Sequence, residues 1–131
     1  MREPSWEIDG WHLDSGEEYH AESPETFWIP SPEARANLQR GDYAKLIFRI
    51  AVVSEEYPVS VERMWVVVRE RVGPNYFGLL DNEPDAIDEN DELWLGTELP
   101  FRAEHVIDIL PADQESIDFA AREPRRAWPR D

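Results

Sequence analysis

The stretch YAKLIFRIAVV at residues 43–53 decides the fold, because its side chains alternate with the period of two that is typical of a β-strand. A second alternating stretch, VSVERMWVVVRER at 59–71, follows after a polar turn. One face of the first stretch carries its apolar residues, Ala44, Leu46, Phe48, Ile50 and Val52. The second face of the second stretch is partly apolar too, so we expect the N-terminal arm or the helix predicted before these strands to cover it.

The residues before these strands predict a short helix. Ser31 is a good N-cap and Pro32 suits the first helical position. The helix should run to about Arg40, with Gly41 as its stop.

The residues after the two strands continue the sheet. Gly73-Pro74-Asn75 is a turn before the strand YFGLL at 76–80, so the strands form an antiparallel meander. Further short strands are expected at 93–95, 98–101 and 105–110. Asp113 should cap a last helix through Ala121 that buries Ile117, Ala120 and Ala121. The whole pattern predicts an α+β domain: a strongly bent, mainly antiparallel sheet or small SH3-like barrel of five to six strands, with an N-terminal helix and a short C-terminal helix.

Charge and proline divide the chain into three parts. Residues 1–25 form an acidic N-terminal arm, residues 26–121 a single domain, and residues 122–131 a basic, proline-rich tail. Trp6 and Trp11 interrupt the arm, and indole rings are rarely left in water. We therefore expect the arm to pack onto the domain.

The charge balance limits the classes of partner. Thirteen basic residues face 29 acidic ones, a formal net charge of −16. Nucleic acids and anionic membranes would be repelled by such a field, so neither is expected as a partner. A basic protein partner is favoured, and a merely solvated acidic surface is the alternative.

Cysteine usage and hydropathy point to the cytoplasm. The chain has no cysteine, so disulfides and thiolate metal sites are excluded. No apolar run approaches the roughly 20 residues of a transmembrane helix, and MREPSWEIDG lacks the pattern of a secretory signal.

The acidic stretch DNEPDAIDENDE at 81–92 has some of the spacing of a calcium loop. An EF-hand needs glycine at its sixth position, where this stretch has Ala86. We therefore predict no metal site. The same stretch instead supplies a candidate patch for a basic partner, Asp85, Asp88, Asp91 and Glu92.

Catalytic motifs are sparse. His105 lies beside Glu104, and together with Asp81 it is a candidate general base or metal ligand, although such a histidine is more often structural. The sequence has neither a G-x-S-x-G elbow nor a glycine-rich phosphate loop, so no cofactor is expected.

The segments ERMW at 62–65 and DNEP at 81–84 are the remaining candidate site. Arg63, Trp65, Asp81 and Asn82 would line a ligand cleft if the two segments meet. The alternative is that Asp81 and Asn82 form a hairpin corner through hydrogen bonds to their own backbone.

Four segments resemble a known family in their order and approximate spacing. They are PETFWIPSPEARANLQRGDYAKLIF at 24–48, VERMWVVV at 61–68, FGLLDNEP at 77–84 and FRAEHVIDI at 101–109. Together they resemble bacterial domain-of-unknown-function family 2314, the YegJ-like proteins, over roughly two-thirds of the chain. The resemblance implies a small cytosolic bacterial protein, and similar small domains occur among the immunity proteins of toxin systems. It transfers no catalytic or binding residue.

Two hypotheses of function follow. The first is a non-enzymatic interaction domain for a basic partner, with toxin neutralisation as one form and mimicry of nucleic acid as another. The second is a small-ligand or metal-dependent enzyme that uses Asp81, Asn82, Glu83 and His105. Both a monomer and a homodimer stay open, and an uncovered outer face at Ile47, Trp65 and Val67 would favour the dimer.

Overall fold

The computed structural model describes residues 2–52, 58–82 and 93–130. In those ranges the sheet curls into a half-barrel with helices at both ends of the chain, which confirms the predicted α+β class. The helices are α1 (Trp6–Asp9), α2 (Gly16–Glu22), α3 (Pro32–Ala36) and α4 (Gln114–Ala120), with a 3-10 turn at Ala103–His105. The strands are β1 (Trp11–Leu13), β2 (Tyr43–Ala51), β3 (Val59–Val72), β4 (Asn75–Leu80), β5 (Glu98–Phe101) and β6 (Asp108–Leu110).

The sheet is antiparallel, with strand order β1-β2-β3-β4-β5. β6 joins the same edge of β2 as β1, because β1 pairs with Phe48–Ile50 and β6 pairs with Tyr43–Lys45. Between β2 and β3, Lys45 lies opposite Trp65 and Ile47 lies opposite Arg63. This register places all four of these side chains on the outer face of the half-barrel.

The core fills the concave side of the half-barrel. The alternating apolar residues of β2 are buried there as predicted, with Leu46, Phe48 and Ile50 fully inaccessible to solvent. The acidic arm contributes to the same core, since Trp11 is 1% exposed and lies against Phe48. Residues 11–13 of the arm thus form an edge strand of the sheet.

The outer face is covered in part by α4, which contacts β3. The Tyr43 hydroxyl donates to the Asp113 carboxylate, the N-cap of that helix, at 3.1 Å. Val67 is fully buried on this face. A cover over β3 therefore exists, but it is supplied by α4, which was not one of the two elements expected to provide it.

The C-terminal tail closes the opening of the half-barrel. Arg125 N–H donates to the Gly96 carbonyl, and Glu98 N–H donates to the Arg126 carbonyl. These bonds lead Trp128 into the core, where its ring lies 5.9 Å from that of Trp11 at the other end of the chain.

Three element boundaries were predicted wrongly. Helix α3 ends at Ala36 rather than Arg40, because the Asn37 side chain donates to the Glu33 carbonyl and the chain then turns to bury Leu38. Residues 93–95 form no strand, since a turn with a left-handed Gly96 (φ 88°) redirects the backbone into β5. The strand expected at 105–110 begins only at Asp108, because 103–105 form the 3-10 turn.

The buried face of α4 also differs from the prediction. The helix is capped by Asp113 and buries Ala120 as expected, but it also buries Ser116, while Ile117 is 44% exposed and Ala121 is exposed. Among the described residues, no helix is long and apolar enough to cross a membrane.

Candidate functional site

The structure brings three of the predicted site residues together. Trp65 N–H donates to the Asn82 side-chain oxygen at 2.6 Å, and Asp81 N–H donates to the Trp65 carbonyl at 2.9 Å. Asn82 therefore closes the end of the β3–β4 pair through a hydrogen bond from the backbone of β3, whereas the predicted corner bonds were to its own backbone. Arg63 has a different neighbour, since its guanidinium lies 5.3 Å from the centre of the Phe27 ring.

The Asp81 carboxyl lies in an acidic neighbourhood at the start of α4. Burial raises its pKa, and the charges of Glu115 and Asp113 add to the same effect. Desolvation and two like charges thus both disfavour the ionised form of this carboxyl.

His105 occupies the 3-10 turn before β6, where its ring caps the backbone. The Arg102 N–H donates to His105 Nδ1 at 2.9 Å, so the neutral imidazole carries its proton on Nε2. Burial and the nearby Arg102 charge lower the pKa of His105 to about 4. At neutral pH this histidine is an uncharged donor.

His105 and Asp81 do not share a cavity. His105 lines a groove beside α2, and Asp81 is not among the residues that line it. The predicted acidic patch of Asp85, Asp88, Asp91 and Glu92, with Glu83, lies outside the described residues.

The groove beside α2 is the candidate site, and we call it the acidic groove. Its volume is about 470 Å³, within the range of ligand-binding clefts. Its walls come from β1, α2, the outer face of β2 and the 3-10 turn. Its charged and titratable members are His12, Asp14, Glu18, Tyr19, Glu22, Arg49, Glu104 and His105.

The floor of the acidic groove is a fixed ion pair. Arg49 donates to both oxygens of the Asp14 carboxylate, with Nη2 2.9 Å from Oδ2, and the Tyr19 hydroxyl donates to the same carboxylate at 2.9 Å. Burial opposes ionisation of Asp14, but these hydrogen bonds outweigh it and lower its pKa. Because Arg49 is bonded to Asp14, its charge does not neutralise the carboxylates at the rim of the groove.

The rim of the acidic groove carries free negative charge. Glu18 and Glu22 are exposed and make no ion pair within the part of the chain that the structure describes. Glu104 lies 3.8 Å from both Arg102 Nε and His105 Nε2, a distance too long for a hydrogen bond. The rim is therefore suited to a cationic side chain.

Metal chemistry finds no support in the described ranges. Within them no group of three or more histidine, aspartate and glutamate side chains is arranged to hold a metal ion. The arrangement offers charge recognition through the acidic rim, together with one neutral donor at His105 Nε2.

Sequence reasoning missed the acidic groove as a unit, because its walls come from three distant segments. The alternation in WHLD at 11–14 was the available signal, since period two places His12 and Asp14 on opposite faces from Trp11 and Leu13. Nothing local to that segment identifies Arg49 as its partner.

Comparison of the chain with protein-family models, with curated proteins and with solved structures finds no match.

Proposed function

We propose that the protein is a non-enzymatic interaction domain that binds a basic protein through the acidic groove. The observation that carries the proposal is the pair of uncompensated rim carboxylates, Glu18 and Glu22, above a floor whose cation is already used. Complementary charge accelerates encounter and selects the partner, and the net charge of −16 adds to this steering.

The volume of the groove supports a side chain rather than a flat contact. About 470 Å³ accommodates an arginine or lysine side chain with its water shell. Since α2 and the 3-10 turn contact each other, the backbone that carries the rim carboxylates is in place before the partner arrives.

The family resemblance of the sequence suggests a specific form of this function, a cytoplasmic bacterial protein that neutralises a basic toxin. Tight toxin binding would need the charged rim and also a buried anchor residue from the partner. The groove supplies the first of these requirements.

The proposal is tested by capture followed by titration. The full-length protein is immobilised, partners are captured from host lysate at low and high salt, and the identified partner is titrated in purified form. The variant E18Q/E22Q/E104Q removes the rim charges, and E33Q/E115Q/E123Q removes the same number of charges elsewhere. We expect at least tenfold weaker binding for the first variant and less than twofold for the second.

A second charge variant separates the two acidic surfaces. Replacing Asp85, Asp88 and Asp91 with Asn and Glu92 with Gln tests the loop patch while leaving the groove intact. A partner that is lost with the loop variant and kept by E18Q/E22Q/E104Q would contradict the proposed site. If no partner is captured, or if the binding of the partner changes neither with salt nor with either variant, the proposed function is overturned.

A further inference from the structure

Within the described residues, two cations on the outer face of the sheet form no ion pair, although the chain is strongly acidic. In the ranges that the structure describes, the side chains of Lys45 and Arg63 make no ion pair and no hydrogen bond. Most of the other sheet arginines are committed, for example Arg49 to Asp14 and Arg69 to Glu98. Since no carboxylate is bonded to either head group among the described residues, both are available to an anionic ligand.

The two cations converge on one cavity, which we call the cationic pocket. Its volume is about 220 Å³, and its lining includes Phe27, Trp28, Lys45, Arg63 and Asp108. Because Lys45 lies opposite Trp65, Arg63 is its diagonal cross-strand neighbour, at on the order of 7 Å. This spacing lets both head groups reach one ligand.

Aromatic rings line the same pocket. Arg63 lies over Phe27 at 5.3 Å, and Lys45 Nζ lies 5.5 Å from the Trp65 ring centre. Trp28 is 72% exposed, an unusual state for an indole. An exposed indole beside these two cations is suited to a planar anionic ligand whose ring stacks on the indole while its negative charge pairs with the cations.

The Phe27 side of the pocket is held in place. Phe27 stacks on Tyr19 of α2 with ring centres 5.2 Å apart, and His20 Nδ1 donates to the Phe27 carbonyl at 2.7 Å. A wall fixed by α2 lowers the ordering cost of binding.

Charge and size define the ligand class. Asp108 also lines the pocket and lies directly opposite Lys45 in the β2–β6 register, but its Oδ1 accepts from Ile109 N–H at 2.8 Å and no ion pair with Lys45 forms within 4 Å. Two cations and one carboxylate leave room for one negative charge, and the field of a −16 chain opposes a dianion such as phosphate. About 220 Å³ equals the share of roughly seven water molecules, which fits a single ring with one carboxylate.

We propose that the cationic pocket binds a small aromatic monocarboxylate, with Arg63 and Lys45 holding the carboxylate and Trp28 stacking on the ring. This inference does not depend on the acidic groove, which lies on the other side of the Tyr19–Phe27 stack. Either proposal can therefore fail alone.

The test uses benzoate as the probe and benzamide as its neutral counterpart. The full-length protein is titrated with each compound at low salt, and NMR follows its backbone amide and tryptophan indole N–H resonances. Binding is expected to shift the Phe27, Trp28 and Arg63 signals with benzoate and to leave them unchanged with benzamide. Inorganic phosphate is expected to bind more weakly than benzoate.

Matched variants locate the site. R63Q and K45Q each remove one pocket cation, and R122Q removes a cation that lies over an aromatic ring elsewhere, 5.6 Å from Phe119. We expect benzoate affinity to fall at least about tenfold in R63Q and K45Q and to stay within twofold of the parent in R122Q. Unchanged thermal melting of R63Q shows that the fold is intact. Equal shifts with benzamide, a response absent at 20 mM benzoate, or full binding by a folded R63Q would each overturn the proposal.

Discussion

The His105 imidazole is held in its neutral form by its surroundings. Its side chain is 15% exposed, and its pKa of about 4 lies well below the 6.5 of an unfolded histidine. The unfolded chain therefore takes up a proton at this residue first as the pH falls. The stability that His105 contributes is complete above pH 6.5 and is lost between pH 6.5 and pH 4.

The first prediction is that the free energy of unfolding falls by about 3 kcal/mol over this pH interval because of His105. Replacing His105 with Asn keeps an oxygen that can accept from Arg102 N–H but removes the titration. Urea denaturation from pH 7.5 to 4.5 should show a smaller slope in the variant than in the parent. An identical slope in both proteins would assign the loss to another group.

The arginine-paired carboxylates titrate in a more acidic window than His105. Burial opposes the ionisation of Asp9 and Asp14, but their arginine partners lower both pKa values below 3.8. Their stability contribution is thus lost only at more acid pH. Burial raises the pKa of Asp81, so the folded state takes up a proton at this carboxyl before the unfolded state does. As the pH falls, Asp81 therefore increases the free energy of unfolding, which is opposite to the effect of His105.

At the scale of elements, the C-terminal tail packs over the open side of the half-barrel and places Trp128 in the core. Trp128 is 7% exposed, its Nε1–H donates to the Arg2 carbonyl at 3.2 Å, and the Arg2 guanidinium lies 4.5 Å from the ring centre. The Trp128 backbone N–H donates to the carboxylate of Glu98, which is only 2% exposed. The tail therefore joins both chain ends to β5.

The second prediction concerns this tail. W128A should lower the free energy of unfolding by about 3–5 kcal/mol, because it leaves a cavity beside Trp11. W128F keeps an aromatic ring and loses the bond to the Arg2 carbonyl, so it should lose much less than W128A. Urea denaturation measures both variants. A loss below 1 kcal/mol for W128A would show that the tail is not part of the cooperative fold.

Which elements could be predicted from the sequence depended on how local their signals are. The β2–β3–β4 meander was predictable because period two and short turns are read within a few residues of each other. The α4 cap at Asp113 was equally local. The pairing of 11–13 with β2 and of Arg126 with Glu98 joins segments far apart in the chain, and no periodicity reveals such partners.

For the candidate sites as well, residues with a local signal could be identified from the sequence, whereas their partners from other elements could not. Arg63 and Trp65 were identified from one strand, but the residues that accompany Arg63 are Phe27 and Lys45, and these belong to other elements. His105 was identified by its carboxylate neighbours, whereas its capping bond to Arg102 N–H depends on a 3-10 turn at Ala103–His105 that the sequence did not predict.

At the scale of the whole molecule, the net charge of −16 acts on the fold and on binding in opposite directions. Like charges within one compact chain repel each other and destabilise it. The same charges attract a basic partner over a range set by the Debye length, which shrinks from about 30 Å at 0.01 M salt to about 8 Å at 0.15 M. Salt should therefore strengthen the fold and weaken the complex.

The third prediction states this contrast as a measurement. Raising NaCl from 10 to 150 mM should raise Tm by several degrees, because about 1 kcal/mol of relieved repulsion shifts the midpoint of a domain of this size by about 4 °C. Over the same interval the affinity for a basic partner should fall at least tenfold. Potassium chloride should act like sodium chloride if the effect is screening, and a neutral osmolyte such as sucrose should leave the affinity unchanged. A Tm that falls with salt would mean that ion pairs such as Arg49–Asp14 outweigh the repulsion, and the acidic surface would then be a stabilising network instead of a steering field.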